Sequence, residues 1–517
     1  MNKRFATLLW PLASSLRPYA VPSQCSQRPN FLYNPSMQPK NLLYIISDEH
    51  RRDGLGCYGH PHIKTPHLDK LARTSVRFTK AYTPSPTCVP ARAALHTGQW
   101  VHQLGTWSSA EPYEGQATSW AHRLRDAGHR VASIGKLHFR NSHERNGFTE
   151  EIVPLHIMNE EGWTHGLLRD VLPSYERGTT ELAEQVGAGE SSYTNYDLKV
   201  TKHTIDWLKQ RAEQPEDKPW VAFVSLVSPH YPLIAPQKFY DMYDVNDIDL
   251  PIGYPFDIRA DDIHPAMKEW YDFFNYNEKF DEARMREARV AYYGLCSFMD
   301  DCVGRILDTL NDVGLRDSTR ILYTSDHGET LGDHGQWTKM SMYEGSTGVP
   351  MILSDVDGQE GTTCDTAANL IDSYQTILDC VGLPLTEAEQ SLPGKSLYDI
   401  ANGADADRVG FSEHHDGGTR MGHFTVRVGD WKLNYFVGFR PQLFNLADDP
   451  QELVDLAESP DHQEIVAMCV AKLREIVDPE EADERAHVDQ RRKAAALGGR
   501  EAILGMAGDF GFTPIEE

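Results

Sequence analysis

No hydrophobic run in this chain approaches the ~20 apolar residues that a membrane-spanning helix needs, so no segment reads as a transmembrane span. Nor is there a C-x-x-C pair. The eight cysteines (Cys25, Cys57, Cys88, Cys296, Cys302, Cys364, Cys380 and Cys469) are scattered, which leaves zinc-ribbon and thioredoxin-like sites without support and makes a disulfide framework unexpected at this density. Reduced thiols are the expectation. Positive charge is short: Lys+Arg number 50 against 76 Asp+Glu, a formal net charge of −26. Such a field repels nucleic acid and anionic lipid, which excludes both as expected partners. It repels anionic substrates equally, so any anion site must bring its own cations. Internal repeats and low-complexity tracts are absent. Acidic residues are also absent before Asp48. Residues 1–36 carry Lys3 and Arg4 and then a thin apolar stretch broken by Pro11, Pro18 and Pro22, which resembles either a short targeting segment or an over-long start before Met37. They are expected outside the fold, and the protein is expected in the cytoplasm, with secretion as the alternative.

What is present is an alternation of strand and helix signals. Apolar, β-branched runs at 42–47, 130–134, 220–227, 320–325 and 349–353 read as buried parallel strands, with helical periodicity at 119–127, 196–211, 281–313 and 370–380. That order predicts an α/β fold, a mostly parallel central sheet flanked by helices. Ligands in such folds gather beyond the carboxyl ends of the strands. Here Asp48-Glu49, Gly135-Lys136-Leu137-His138, Ser228-Pro229-His230 and Asp326-His327-Gly328 each follow a strand run. Any one of them is as readily a turn or a cap. Four in register point to a site. After about residue 402, short alternating segments separated by Gly429-Asp430 and Gly438 read as an antiparallel meander. The expected organisation is therefore a catalytic domain over 37–400, a small antiparallel subdomain over 401–477, and a tail over 478–517. The tail has few core positions and is expected to be disordered or packed on another subunit, which makes a homo-oligomer the expected assembly.

The most informative stretch is Thr87-Cys88-Val89-Pro90-Ala91-Arg92, followed by Thr97-Gly98. Proline in a first helical turn loses only an orphan N–H, so Cys88 is placed at a helix N-terminus, where an anion is favoured. A lone cysteine there would ordinarily be a half-buried packing residue. Together with the strand ends, Cys88-x-Pro90-x-Arg92 resembles the maturation motif of the type I, formylglycine-dependent sulfatases of the alkaline-phosphatase-like superfamily. Its closest likeness is to bacterial choline-sulfatase-like and phosphonate monoester hydrolase-like members, and it runs from about residue 41 to 456. The stretch Leu443-Phe444-Asn445-Leu446 with Asp449-Pro450 and Glu452 resembles that family's small C-terminal domain.

The resemblance implies that Cys88 is oxidised by a formylglycine-generating maturation enzyme to Cα-formylglycine, whose hydrate attacks the sulfur of a small-molecule sulfate ester. It also implies a divalent metal, usually Ca2+, held by Asp48, Glu49, Asp326, His327 and residue 88. The imidazole leaves room for Mn2+. By the same matching Arg92 and Lys136 orient the nucleophile, Asp326 serves as its base as well as a ligand, His138 accepts the proton that lets the hemiacetal collapse, and Lys339 and His230 grip sulfate, with His230 as the acid for the leaving oxygen because an imidazole titrates near neutrality. Trp163 and Glu413 fall where choline sulfatases hold a quaternary ammonium, a role suited to an indole and a carboxylate. Packing or loop structure would account for either residue equally well. Ser109 stands near a position where such members carry a sulfate-binding Asn, and serine offers a single donor. Hydrolysis of a small organic sulfate ester is the expected function, with choline sulfate one candidate. A phosphonate monoester or phosphodiester hydrolase with the same site, and a non-catalytic binding member, are the alternatives.

Overall fold

A computed structural model describes residues 37–257, 263–356, 361–506 and 513–515, and the N-terminal extension lies outside them. Eight strands form the main sheet. In chain order they are β1 Asn41–Asp48, β2 Ser75–Phe78, β3 Val131–Lys136, β4 Glu150–Leu155, β5 Val221–Pro229, β6 Thr319–Ser325, β7 Met351–Ser354 and β8 Thr363–Cys364, and in space they run β8-β2-β7-β6-β1-β5-β3-β4. Pairing is parallel from β6 through β1, β5 and β3 to β4. The four strand ends noted in the sequence therefore belong to four adjacent strands and emerge along one edge.

Strand β7 departs from expectation, since it lies antiparallel to both β6 and β2. The chain between β6 and β7 holds only the 3-10 turn Asp333–Gly335 and the short helix Glu344–Thr347, neither long enough to carry it to the far edge, so β7 re-enters where β6 leaves.

Period-2 alternation along β1 builds the layers. Leu42, Tyr44 and Ile46 join an apolar cluster with the helices α1 Cys88–Thr97, α2 Trp120–Asp126 and α5 Ser373–Val381. Leu43 and Ile45 face the other way, onto α3 Ser192–Glu213 and α4 Glu282–Asp312. Three of these helices, α2, α3 and α4, start at side-chain caps: Ser119, Ser191 and Asp281 accept from the backbone N–H of His122, Thr194 and Arg284. The box made by Ser191 and Thr194 starts α3 ahead of the apolar periodicity, which begins at Tyr196.

Gly410–His414 (β9), His423–Val428 (β10), Trp431–Phe436 (β11) and Gln442–Asn445 (β12) form a separate antiparallel meander against α6 Gln463–Ile476. The tail differs from expectation as far as residue 506, for it is folded onto its own chain. Helix α7 Pro479–Ala496 buries Ala482, Asp483, Ala486, His487 and Gln490, and α8 Gly499–Gly505 follows. Those positions recur at helical spacing, but they are small or polar, so no apolar stripe marks them in the sequence. Phe510 and Phe512 lie outside the described residues. Among those described, seven cysteines are free and no helix is long and apolar enough to cross a membrane.

The anchor of α7 is Arg169, 1% exposed, which pairs with Asp483 at 2.8 Å and donates to Gln490 Oε1 at 3.1 Å and to the Thr419 carbonyl at 3.2 Å. Burial opposes ionisation of Asp483, but His415 and Arg169 outweigh it and hold the carboxyl well below its ordinary value. A carboxylate lowered in the folded state contributes stability above its unfolded pKa and loses that contribution as pH falls through the folded one. Arg169→Met should therefore cost ~3 kcal/mol by stranding a buried carboxylate, read as lost hydrogen-exchange protection in 479–505 at neutral pH. The difference from the parent should shrink on acidification. Undiminished protection at neutral pH would show that α7 is held by apolar packing alone.

Candidate active site

Helix α1 begins at Cys88 and is buried along its whole length, with Thr87 extended at the N-cap and Gly98 closing the other end in the left-handed region at φ 69°. Cys88 and Arg92 are one turn apart, so both face the edge where β1 and β6 end. Arg92 is fully buried: its Nε donates to Asp326 Oδ2 at 2.7 Å, one Nη lies 3.3 Å from Asp48 Oδ2, and the other donates to the Lys136 carbonyl and Ser225 Oγ. Lys136 Nζ is in direct contact with Asp48 Oδ2. Gly135 makes this approach feasible, because a Cβ there would lie 2.1 Å from the Ser225 carbonyl oxygen.

Around Cys88 Sγ lie His327 Nε2 at 3.0 Å, Lys339 Nζ at 3.3 Å and Asp48 Oδ1 at 3.5 Å. One ligand atom each from Asp48, Cys88, Asp326 and His327 fall within 4.8 Å of one another, all buried. The donor chemistry fits a divalent ion, with two carboxylates and an imidazole whose Nδ1 faces the Gly328 carbonyl at 3.0 Å, directing the Nε2 lone pair inward. The Sγ atom marks where formylglycine oxygens would lie. Glu49 is displaced from this group. Its Oε2 accepts from Lys339 Nζ at 3.0 Å and lies 3.2 Å from His230 Nε2, forming a second cluster with Asp48 and His230.

Charge is distributed unevenly. Burial works against the Asp48 carboxylate, yet Lys136, His230 and Arg92 hold it well below the usual range, whereas burial drives Glu49 well above its own. Burial, with Asp48 adding, pushes the Cys88 thiol up to about 12, so as a free cysteine it is neutral at physiological pH. Lys339 stays cationic: burial pulls it down, but Cys88, Glu49 and Asp48 keep it well above its ordinary value. Burial and the Lys339 charge hold His230 well below 6.5. Its Nδ1 faces the Tyr231 carbonyl at 2.6 Å and its Nε2 faces Lys339 Nζ at 2.6 Å. The proton of this pair therefore rests on Lys339, and His230, the acid of the sequence analysis, is its acceptor. His138 is neutral too, lowered by burial and by Lys136, and its Nδ1 has no hydrogen-bond partner among the described residues.

These groups open on a cleft with Cys88, His138, His230 and Lys339 among its lining residues. The rest of the lining is largely apolar, including Val89, Ile157, Met158, Trp163, Tyr175, Tyr231 and Met340. Trp163 is brought to it as expected, packed edge-on to Tyr175 with ring centroids 5.6 Å apart. Glu413 is not. It is fully buried and absent from the lining, with Oε1 accepting from His102 N at 3.0 Å and meeting His102 Nδ1 at 2.8 Å, and Oε2 lying 3.2 Å from His415 Nε2. Strand alternation in β9 is the reason, since His414 faces Thr87 at 3.4 Å and its neighbour Glu413 must face the other way.

Thr513 also lines the cleft, with its Oγ1 2.9 Å from His138 Nε2 and its carbonyl accepting from Tyr193 OH at 3.0 Å. Nothing in the sequence pattern marks Thr513, Tyr175, Tyr193 or Tyr231, whose positions follow from long-range packing. Glu49, His138, Thr338 and Met340 have positive φ of 64°, 54°, 66° and 67°, so backbone strain concentrates around the reacting groups.

A family model described as Sulfatase matches residues 40–383, and one described as the C-terminal part of N-sulphoglucosamine sulphohydrolase matches 332–478. A choline-sulfatase of Rhizobium meliloti is 32% identical over 440 residues, covering 81% of this chain and 83% of the relative. An arylsulfatase K of Danio rerio is 28% identical over 438 residues, covering 81% and 80% respectively. The crystal structure of a phosphonate monoester hydrolase of Agrobacterium radiobacter superposes with a TM-score of 0.67 at 23% identity, covering 84% of this chain and 95% of that one, a likeness of fold.

Arg92 bridges two of the carboxylates of the ligand group, and a lysine has neither its planar fork nor its reach to both. Arg92→Lys should weaken Ca2+ or Mn2+ binding roughly 10- to 100-fold by calorimetry, and Asp326→Ala should abolish it. Unchanged affinity in both variants would remove the divalent ion from this cluster.

Proposed function

This chain belongs to the sulfatase family, hydrolases acting on sulfuric ester bonds, and on that premise we propose that it cleaves the sulfate monoester of a small, uncharged, apolar or aromatic alcohol at residue 88. Formylglycine at that position and a divalent ion held by Asp48, Asp326 and His327 would supply the nucleophilic hydroxyl and a Lewis acid. The chain's own groups account for the remainder. Lys339, 3.3 Å from Sγ, offsets sulfate charge and carries the proton for the departing oxygen, while His230 accepts its hydrogen bond and aims it. His138, kept neutral and lining the same cleft as residue 88, is the base. Arg92 and Lys136 keep Asp48 ionised and in place.

The observation that carries this proposal is the convergence of Lys339 Nζ, His327 Nε2 and Asp48 Oδ1 within 3.5 Å of Cys88 Sγ. In a chain of net charge −26, cations concentrated at one buried point are what an anionic substrate requires. Cys88 is 4% exposed, so we infer that a maturation enzyme converts it before the chain folds.

The leaving group is argued from the wall. Choline sulfate, the ester in the name of the Rhizobium relative, would find the Trp163 indole but, among the described residues, no carboxylate lining the cleft, and so a neutral leaving group ranks first. A phosphonate monoester or phosphodiester is the second reading, favoured by the imidazole of His327 in the ligand group.

Mass spectrometry of the peptide containing residue 88 should find an aldehyde in place of a thiol in active enzyme, and Cys88→Ala should lower kcat at least ~10^4-fold, since it removes the nucleophile. In kcat/KM, phenyl sulfate should exceed both choline sulfate and phenyl phosphonate monoesters by at least about tenfold, one missing favourable contact being worth roughly that. An intact thiol in fully active enzyme would end the formylglycine proposal. Preference for the phosphonate ester would select the second reading.

A further inference from the structure

The rim of the cleft carries a polar corner that none of the reacting groups uses. Ser109 lines the cleft. Its Oγ donates to Asp416 Oδ2 at 2.7 Å, and its backbone N–H donates to the same oxygen at 2.7 Å. Asp416 is fully buried, and its Oδ1 accepts from Gly417 N at 2.7 Å. The carboxylate is hemmed in: a Cβ on Gly166 would lie 1.9 Å from Asp416 Oδ1 and 3.4 Å from the Trp163 ring, and one on Gly417 would lie 2.3 Å from that ring. Asp416 thus lies behind the indole, fixed from Ser109 on one side and from its own loop on the other.

A serine hydroxyl has one hydrogen and two lone pairs. With that hydrogen committed to Asp416, Ser109 can offer the cleft lone pairs only. It is then ill suited to grip a sulfate oxygen, which also has only lone pairs to give. The reacting groups are at the floor, where Cys88, His230 and Lys339 are 4%, 3% and 4% exposed, whereas Ser109, Met158 and Trp163 are half-buried at the rim. A molecule with its sulfate at the floor extends its alcohol portion along Trp163 toward Ser109.

Resting on the sulfatase reading above, we propose that Ser109, held by Asp416, is a specificity-determining hydrogen-bond acceptor, and that the leaving group is an aromatic alcohol bearing an O–H or N–H donor on its ring. A site that presents an acceptor favours a ligand with the matching donor, because an isostere lacking it leaves the acceptor desolvated and unpaired. A quaternary ammonium has no such hydrogen, and a plain aryl group leaves the corner unused.

The test compares the 2-, 3- and 4-hydroxyphenyl sulfates with the corresponding methylphenyl sulfates, which match in size and differ in the donor. In the parent enzyme at least one hydroxyl isomer should exceed its methyl counterpart in kcat/KM by about five- to tenfold, the range of a single neutral hydrogen bond. Ser109→Ala should bring that ratio to about one, and Ser109→Thr, which keeps a hydroxyl, should restore a preference. Asp416→Ala, which removes the acceptor and frees the Ser109 hydrogen to turn toward the cleft, should reduce the ratio as well. Ratios near one for all three pairs in the parent enzyme would overturn the proposal, as would a preference that survives Ser109→Ala. Turnover of none of the six esters would defeat the sulfatase reading on aryl substrates itself, and this proposal with it. Turnover of all six without discrimination defeats only the acceptor.

Discussion

Everything at the carboxyl edge of the sheet depends on one buried guanidinium. Arg92 joins Asp48 at the end of β1 to Asp326 just past the end of β6, and it rides on the helix whose first residue is Cys88. Two carboxylates in the interior would repel each other and resist ionisation. With Arg92 between them and Lys136 against Asp48, they are held apart and oriented. Because Cys88 and Arg92 are a single helical turn apart, the same contact fixes the nucleophile's position against the ligand group. Geometry and electrostatics are thus set by one helix docking on two strand ends.

The acidity of the chain makes this local concentration of cations necessary. A net charge of −26 disfavours the approach of any anion, and the site brings its own cations, Lys339 3.3 Å from Cys88 Sγ and Arg92 and Lys136 against the carboxylates beside it. Lys339 is the most exposed to the chemistry. It donates to Glu49 and to a neutral His230, so its ammonium is fixed within a chain of buried groups. The positive φ values at Glu49, His138, Thr338 and Met340 belong to the same arrangement, in which loops are bent to bring side chains inward against backbone preference.

Substrate discrimination is built from other parts. The floor comes from strand ends, whereas the walls come from segments distant in sequence: Ser109, Trp163, Tyr175, Tyr231 and Thr513. Trp163 packs on Tyr175, Thr513 meets His138, and the loop of the C-terminal subdomain at Asp416 backs Ser109. Such separation lets the chemistry stay constant while the walls change. It also explains why Glu413, one strand position from His414, serves the interior by holding His102 and His415 and lines no part of the cleft.

Local patterning by itself determined the parallel core, the helices between its strands, the C-terminal meander, and Asp48, Lys136, His230 and Asp326 as strand-end groups, because strand periodicity and helix signals act within a few residues and the edge rule converts them into position. The motif at Cys88 likewise fixed its place at a helix start, since proline and the absent N–H act locally. Only the tertiary structure decided that β7 runs antiparallel, that α7 buries alanines and paired charges, that Glu413 turns inward, that the proton of the Lys339–His230 pair lies on the lysine, and that Ser109 spends its hydrogen on Asp416. Each of these depends on which partner a group meets across a long span of chain, 307 residues in the last case, and the identity of that partner is written in packing and not in sequence spacing.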